Sequence, residues 1–193
     1  GEALFDLPTL PVEDYPEIAP LPKKLIGKMD VQKFHRGLEQ TAFASLKVNE
    51  TTRLSLTGVD IVIGGGEMKM IATNGSRLSM KTLPMDEILE DGEFLIEAGV
   101  LSALDRVLSQ INAASVEIYR GDGQVFFRAG GVTFIAKTIA EEFPDFDRVI
   151  PKDNTIDLTF SRQALLASLQ RIEITAAEES GAVTFRATSD ESA

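Results

Sequence analysis

Adjacent acid pairs and a lone histidine are the side chains in this sequence best suited to catalysis. Glu141-Glu142 and Glu178-Glu179 could supply a general acid and a general base. Neighbouring side chains on an extended chain point to opposite sides, so these pairs are more typical of solvated loops. His35 is the only histidine and cysteine is absent, which leaves no usual metal set or catalytic triad. We therefore expect no catalysis, no metal and no cofactor, and a solvent-exposed or capping His35.

A run of three glycines, Gly64-Gly65-Gly66, follows an apolar stretch and suggests a phosphate-binding loop. Such loops need a following Lys-Ser/Thr and the N-terminus of a helix, and the sequence offers neither here. The glycines therefore predict a hairpin turn. An enzyme of another kind would require a metal or nucleotide dependence that nothing in the sequence indicates.

The composition limits the class of protein. At 193 residues and 44% hydrophobic content, the chain can bury an ordinary core. It shows neither an apolar run of about eighteen residues nor a basic region followed by an apolar one at the N-terminus. We expect a soluble cytoplasmic protein with no membrane association, which agrees with the lack of cysteine. The net charge of −11 argues against nucleic-acid binding, because phosphate contacts depend on Lys and Arg.

Apolar side chains at helical spacing predict three helices, over residues 31–44, 100–112 and from 161 onward. Asp30 and Ser161 are the expected N-caps of the first and third helices. The expected inward faces are Val31, Phe34, Leu38 and Ala42, then Leu101, Leu104, Val107 and Leu108, then Leu165, Leu166 and Leu169.

Short apolar runs between glycine turns predict strands joined as meanders. The expected strands are residues 54–63, 67–73, 77–83, 93–96, 115–120, 124–129, 132–138 and 155–160. A strand, a helix and a three-stranded meander thus occur twice within residues 24–150, and a third unit starts near Asn154. Helix starts recur after about 65 residues, a half-domain spacing. The pattern predicts an α+β fold of repeated strand-helix-meander units.

The predicted helices carry more basic than acidic residues, although the chain as a whole is acidic. Five basic residues stand against two acidic ones: Lys33, Arg36, Arg106, Arg162 and Arg171 against Glu39 and Asp105. Chance is one explanation of this imbalance. The other is a helical surface that tolerates a nearby polyanion while the rest of the molecule repels it.

Four stretches, in order along the chain, resemble segments of one family. Residues 7–18 look like the segment that closes its first domain, and residues 53–59 resemble its Arg followed by a Leu-x-Gly strand. Residues 72–78 are similar to its Ala-Thr-Asp-Gly-x-Arg-Leu signature. Residues 143–151 resemble its Phe-Pro-Asp-Tyr-x-Arg-Val-x-Pro linker. The family is the bacterial replicative sliding clamp, the beta subunit of DNA polymerase III.

The resemblance implies a non-catalytic processivity factor with a DNA-clamp fold. Its full-length members would be homodimeric rings that encircle duplex DNA and tether the polymerase, with the mildly basic helices facing the DNA. It also implies the end of a first domain and linker at residues 1–23, a complete middle domain at 24–150 and part of a third at 151–193. A chain of this extent should neither close a ring nor bind peptide at full strength.

The resemblance further implies a pocket that captures short linear motifs, of the Gln-x-x-Leu-x-Phe type, from polymerase and clamp-loader subunits. The matching positions are Leu56, Thr73, Gly75, Arg77, Leu78, Pro144, Arg148 and Val149. Their chemistry suits apolar anchors and peptide carbonyls. The alternative is that they are only turn and core residues.

The sequence departs from the family pattern at three places. Asn74 replaces the usual Asp, and Ser76 stands where a larger side chain is common. Glu97-Ala98 replaces a basic pair before the second helix. A clamp-like interaction module that does not encircle DNA is therefore the alternative function.

Overall fold

The structure, a computed structural model, describes residues 5–6, 8–9, 11–15, 17–156, 158–174 and 183–186. Leu7, Leu10 and Pro16 of the first family-like stretch, Asp157, and the acid pair Glu178-Glu179 lie outside the described residues. The chain divides into two compact units, Gly1–Pro144 and Asp145–Ala193.

The described helices and strands follow the predicted order. The strands are β1 Leu25–Asp30, β2 Gly58–Gly64, β3 Glu67–Thr73, β4 Leu78–Pro84, β5 Glu87–Ile88, β6 Gly92–Glu97, β7 Ser115–Arg120, β8 Gln124–Ala129 and β9 Val132–Lys137. The α-helices are α1 Val31–Thr41, α2 Ala98–Gln110 and α3 Arg162–Glu173. Short 3-10 turns cover Val12–Asp14, Ala42–Ala44, Val48–Glu50, Leu54–Thr57 and Phe146–Arg148.

In the first unit, the two strand-helix-meander repeats exchange their first strands. The strands of one sheet run in the order β5-β1-β7-β8-β9, and those of the other in the order β4-β3-β2-β6. Strand β1 of the first repeat therefore joins the meander of the second, and β6 of the second joins the meander of the first. All pairings are antiparallel. The expected α+β fold of repeated units is confirmed, and the exchange makes the two repeats one domain.

One hydrophobic core takes side chains from both sheets and from α1 and α2. The helices lie side by side, and Phe34 of α1 meets Phe127 of β8 with ring centroids 5.6 Å apart. Gly37 lets α1 approach the sheet closely, because a Cβ there would lie 2.6 Å from atoms of Leu83 and Met70. Burial of this apolar surface is the main favourable contribution to folding.

Helix α1 begins where the sequence predicts because the Asp30 carboxylate accepts a hydrogen bond from the Lys33 backbone N–H at 3.0 Å. It ends at Thr41 and continues as the 3-10 turn Ala42–Ala44. Helix α2 begins at Ala98, two residues before the predicted start. Its side chains Leu101, Leu104 and Leu108 are buried as expected.

The predicted strand over residues 54–63 is wrong in its first part. Leu54–Thr57 is a 3-10 turn, in which the Thr57 hydroxyl donates to the Leu54 carbonyl at 2.8 Å, and β2 starts at Gly58. The two-residue strand β5, which pairs with β1, was not predicted from the sequence.

The second unit contains α3, whose start is as predicted. The Ser161 hydroxyl accepts a hydrogen bond from the Ala164 backbone N–H at 3.4 Å. The strand expected over residues 155–160 is not present among the described residues, because that stretch pairs with no other strand. Leu166, expected to point inward, is 45% exposed. Nowhere in the described part of the chain is a helix long and apolar enough to span a membrane.

Candidate protein-interaction and DNA-facing sites

The turn between β3 and β4 brings four of the predicted pocket residues together. Thr73 pairs with Leu78 across the two strands. The Thr73 hydroxyl donates to the Arg77 carbonyl at 2.7 Å and accepts from the Gly75 N–H at 3.1 Å. Gly75 has a φ of 89°, a conformation that favours glycine. The Thr73 hydroxyl therefore already makes two hydrogen bonds within the turn.

Asn74 fixes the same turn from its outer side. Its side-chain oxygen accepts hydrogen bonds from the Ser76 and Arg77 N–H groups at 3.0 and 2.9 Å. A side-chain oxygen that bonds backbone groups two and three residues ahead forms an Asx turn, and Asp could do the same. The substitution of Asn for the family's Asp therefore leaves the local geometry intact.

Arg77 is exposed but already has a contact within the chain. Its Nη2 donates to the Phe43 carbonyl at 2.6 Å, and its guanidinium carbon lies 5.6 Å from the centre of the Phe43 ring. Nearby, the Ser79 hydroxyl donates to the Gln40 carbonyl at 2.6 Å. These bonds fix the start of β4 against the end of α1. One face of the Arg77 guanidinium therefore stacks on an aromatic ring, and its remaining N–H groups can donate to a partner's carbonyls.

The apolar residues of the predicted pocket differ in exposure. Leu56 is only 7% exposed, so it offers little surface to a partner. Leu78 and Pro144 are half-buried. The Glu141 carboxylate accepts from the Ser55 N–H at 2.8 Å, a bond that lowers the pKa of Glu141 and holds the segment before Pro144 near Leu56.

Arg148 and Val149 belong to the second unit. Arg148 Nε forms an ion pair with Asp145 at 2.8 Å, and Val149 is 68% exposed. The first unit thus contains Leu56, Thr73, Gly75, Arg77, Leu78 and Pro144 of the predicted pocket.

The predicted DNA-facing residues of α1 and α2 lie on exposed or half-buried positions. Lys33 forms an ion pair with Asp86 at 2.8 Å, and this hydrogen bond raises the pKa of Lys33. Arg36 and Arg106 are exposed. The Asp86 carboxylate offsets the charge of Lys33, so α1 and α2 together with Asp86 carry three basic and three acidic side chains, counting Glu39 and Asp105. In α3, Arg162 and Arg171 are exposed, and Arg171 donates to the Ser168 hydroxyl at 3.0 Å.

His35 is partly exposed, as expected, but it does not cap a helix. Its Nδ1 lies 2.7 Å from a carboxylate oxygen of Asp105, so the pair joins α1 to α2. Among the described residues, no group of three or more His, Asp or Glu side chains could hold a metal ion.

A polar cleft in the first unit was not predicted from the sequence. Asp60, Glu93 and Arg120 line a cavity of about 420 Å³, together with residues of the segment 138–143. Asp60 is only 3% exposed. Burial, followed by the nearby Glu93 charge, raises the pKa of Asp60 from 3.8 to about 7. The sequence signal was a single acid within the apolar strand β2.

These folded repeats match a known class of protein. The structure resembles a DNA polymerase sliding clamp from Bacillus subtilis with a TM-score of 0.80 and 25% identity, over 88% of this chain and 44% of that one. It resembles the DNA polymerase III beta chain from Streptococcus pneumoniae with a TM-score of 0.78 and 27% identity, over 88% of this chain and 45% of that one. The fold is that of sliding-clamp domains.

Sequence similarity identifies the family. The family model described as "DNA polymerase III beta subunit, central domain" matches residues 28–145. A beta sliding clamp from Staphylococcus aureus is 27% identical over 191 residues, 99% of this chain and 50% of that protein. One from Pseudomonas aeruginosa is 29% identical over 181 residues, 93% of this chain and 48% of that protein.

The chain belongs to the DNA polymerase III beta subunit family, a family of non-catalytic subunits, and it contains the family's central domain. It spans about half the length of the curated relatives that it matches. The expected family is therefore confirmed.

Proposed function

We propose that this protein acts in DNA replication in the cytoplasm as part of a sliding clamp that tethers the polymerase to duplex DNA. In this proposal, polymerase and clamp-loader subunits dock through short linear motifs, and the full-length ring is a homodimer around DNA. The observation that carries the proposal is the β3–β4 turn, whose family-like residues Thr73, Gly75, Arg77 and Leu78 form one ordered surface.

The chemistry of this surface suits a peptide. Leu78 and Pro144 offer half-buried apolar contacts to a motif's Leu or Phe anchor. Arg77 is held in place by Phe43, so it loses little side-chain freedom when it donates to a peptide carbonyl.

A helical surface without a strong positive charge suits a ring that slides. Arg36, Arg106, Arg162 and Arg171 supply charge near DNA, and Lys33 has its charge offset by Asp86. Because few phosphates would be contacted, direct DNA binding is weak and depends only shallowly on salt, so the hold on the template is topological.

A clamp-like module that binds partners without encircling DNA is the second candidate. The observation that favours it is the acidic Glu97 at the N-cap of α2, where the family commonly has a basic pair. Retention of the full-length protein on circular DNA, lost when the DNA is cut, would support the clamp. Equal retention of the full-length protein on circular and linear DNA, or none on either, would support the module.

The test of peptide capture is fluorescence anisotropy with a labelled Gln-x-x-Leu-x-Phe peptide. We expect saturable binding that is weakened about tenfold or more in Arg77→Ala, because a donor to the peptide is lost. Arg36→Ala, which removes the same side chain from α1, should leave the affinity unchanged. Equal affinity in the parent and in Arg77→Ala would contradict the assignment of Arg77.

A further inference from the structure

Two buried side-chain atoms without a hydrogen-bond partner belong to residues that line the same cleft. Within the described part of the chain, they are Asp60 Oδ1 and Arg120 Nε. Folded proteins rarely leave such atoms unsatisfied, and each one needs an explanation such as a bound ion or water. Of the two, Asp60 Oδ1 is an acceptor that a cation can satisfy, whereas Arg120 Nε is a donor. The cleft, defined above by Asp60, Glu93, Arg120 and residues 138–143, lies wholly within the first unit.

Asp60 lies at the base of this cleft, not in the core. Its neighbours along β2, Val59 and Ile61, belong to the core cluster, so the alternation of the strand turns Asp60 to the opposite face. There it opposes Leu95 of β6, whose carbonyl accepts a hydrogen bond from the Ile139 N–H at 2.8 Å. The segment that begins at Thr138 therefore covers this face of the sheet and leaves the cleft beneath it.

The cleft carries more negative than positive charge. Its lining includes Asp60, Glu93, Glu141 and Glu142 against the single base Arg120. The guanidinium of that base already stacks on Phe94 at 5.2 Å, and its Nη2 donates to the Asp91 carbonyl at 3.0 Å. Its Nη1 also lies 3.7 Å from a carboxylate oxygen of Glu90. Arg120 therefore does not neutralise the carboxylates of the cleft, and the charge on Asp60 is disfavoured by Glu93.

We propose that the cleft receives the cationic end of a Lys or Arg side chain from a partner segment docked at the neighbouring peptide pocket. A volume of about 420 Å³ is enough for one long basic side chain. The cleft-lining residues Glu141, Glu142 and Phe143 directly precede Pro144 of that pocket. A docked segment can therefore place a flanking residue over the cleft. This choice of partner rests on the proposed function.

The protonation of the Asp60 carboxyl supports the proposed cation site. The pKa of Asp60 is raised to about 7, so the carboxyl is largely protonated below that pH. A bound cation would favour the charged form, so binding would release a proton and tighten as the pH rises through 7. The charged groups that face the cleft are Glu93 from β6, Arg120 from β7, and Glu141 and Glu142 from the covering segment.

The first experiment tests the cleft without any peptide. n-Butylammonium is titrated into ¹⁵N-labelled protein at pH 8, and amide shifts are followed by NMR. We expect saturable shifts at Leu95, Gly121 and Gln124 that disappear in Asp60→Asn and weaken in Glu93→Gln. Glu67→Gln, an exposed acid of β3 outside the cleft, should bind as the parent does. Absence of saturable shifts, or the same shifts in Asp60→Asn, would overturn the proposed cation site.

The second experiment tests the partner. Two Gln-x-x-Leu-x-Phe peptides, one with Lys on the N-terminal flank and one with Lys on the C-terminal flank, are each compared with a norleucine version. We expect one Lys peptide to bind about tenfold more tightly at pH 8, with the difference reduced at pH 6 and lost in Asp60→Asn. Equal binding of Lys and norleucine peptides would overturn this inference while leaving the proposed peptide pocket intact. No binding of any peptide would refute the proposed function and the partner, and the n-butylammonium result would still decide the cleft.

Discussion

Asp60 should make the stability of the first unit depend on pH in a way that Asp60→Asn removes. The carboxyl is 3% exposed, and its Oδ1 accepts no hydrogen bond. Its pKa is about 7 in the folded chain against an ordinary value of 3.8, so the folded state binds more protons between these two values. Stability contributed by Asp60 therefore falls as the pH rises from about 4 to 7, and is constant above that.

The magnitude follows from the size of this shift. Each pKa unit corresponds to about 1.36 kcal/mol, so the loss between pH 5 and pH 8 has a ceiling of about 2.7 kcal/mol. Water can enter the cleft and screen the charge, so we expect about 1.5 kcal/mol. Asparagine has nearly the same shape and no charge, and it avoids this loss. The stability advantage of Asp60→Asn over the parent should therefore be about 1.5 kcal/mol larger at pH 8 than at pH 5.

The assay is urea unfolding of parent and variant at both pH values, followed by circular dichroism and by the NMR amide signals of Ile61 and Val125. Other titrating groups are common to both proteins and cancel in the difference. Glu67→Gln, which removes an exposed charge from β3, should show no such change with pH. An Asp60→Asn effect that is equal at pH 5 and pH 8 would refute the reasoning, since it would mean that the carboxyl titrates normally.

Three further substitutions test the turn and the third helix. Thr73→Val should destabilise the first unit by about 1–2 kcal/mol in urea unfolding because two hydrogen bonds of the turn are lost, whereas Thr73→Ser should be near neutral. Gly75→Ala should lower the free energy of unfolding by about 1 kcal/mol through its φ of 89° alone, since nothing lies within 4 Å of the added Cβ. An unchanged stability would contradict that backbone conformation. Ser161→Ala should weaken the start of α3 by about 1 kcal/mol, seen as faster hydrogen exchange at Ala164, and Ser161→Asp should restore protection.

Local sequence signals predicted most elements because each signal acts over a few residues. The N-caps Asp30 and Ser161 mark the starts of α1 and α3. Strand β3 follows the two-residue turn Gly65-Gly66, in which both glycines have positive φ.

Features that depend on residues distant in the sequence could not be predicted from local patterns. The exchange of β1 and β6 between sheets is decided by tertiary pairing, and β5 is too short to leave a pattern. The apolar residues of Leu54–Thr57 suggested a strand, but they form a 3-10 turn closed by a Thr57 hydrogen bond. The stretch 155–160 has strand-like alternation, yet it pairs with no strand among the described residues.

The candidate site likewise combines features that a local motif predicted with features that depend on residues distant in the sequence. The resemblance brought Thr73, Gly75, Arg77 and Leu78 to attention because they lie in one continuous motif. The contact of Arg77 with Phe43 joins residues 34 positions apart, and the cleft of Asp60 and Arg120 joins two different sheets. Sequence alone offered only an acid in an apolar strand as a sign of that cleft.

The most direct test of the proposed function is NMR mapping of a Gln-x-x-Leu-x-Phe peptide on the ¹⁵N-labelled chain. We predict saturable amide shifts that concentrate at Leu56, Gly75, Arg77 and Leu78, with little change at the core amide of Ile118. Shifts that cluster elsewhere on the molecule, or no shifts at millimolar peptide, would contradict the claim that this surface captures partner motifs.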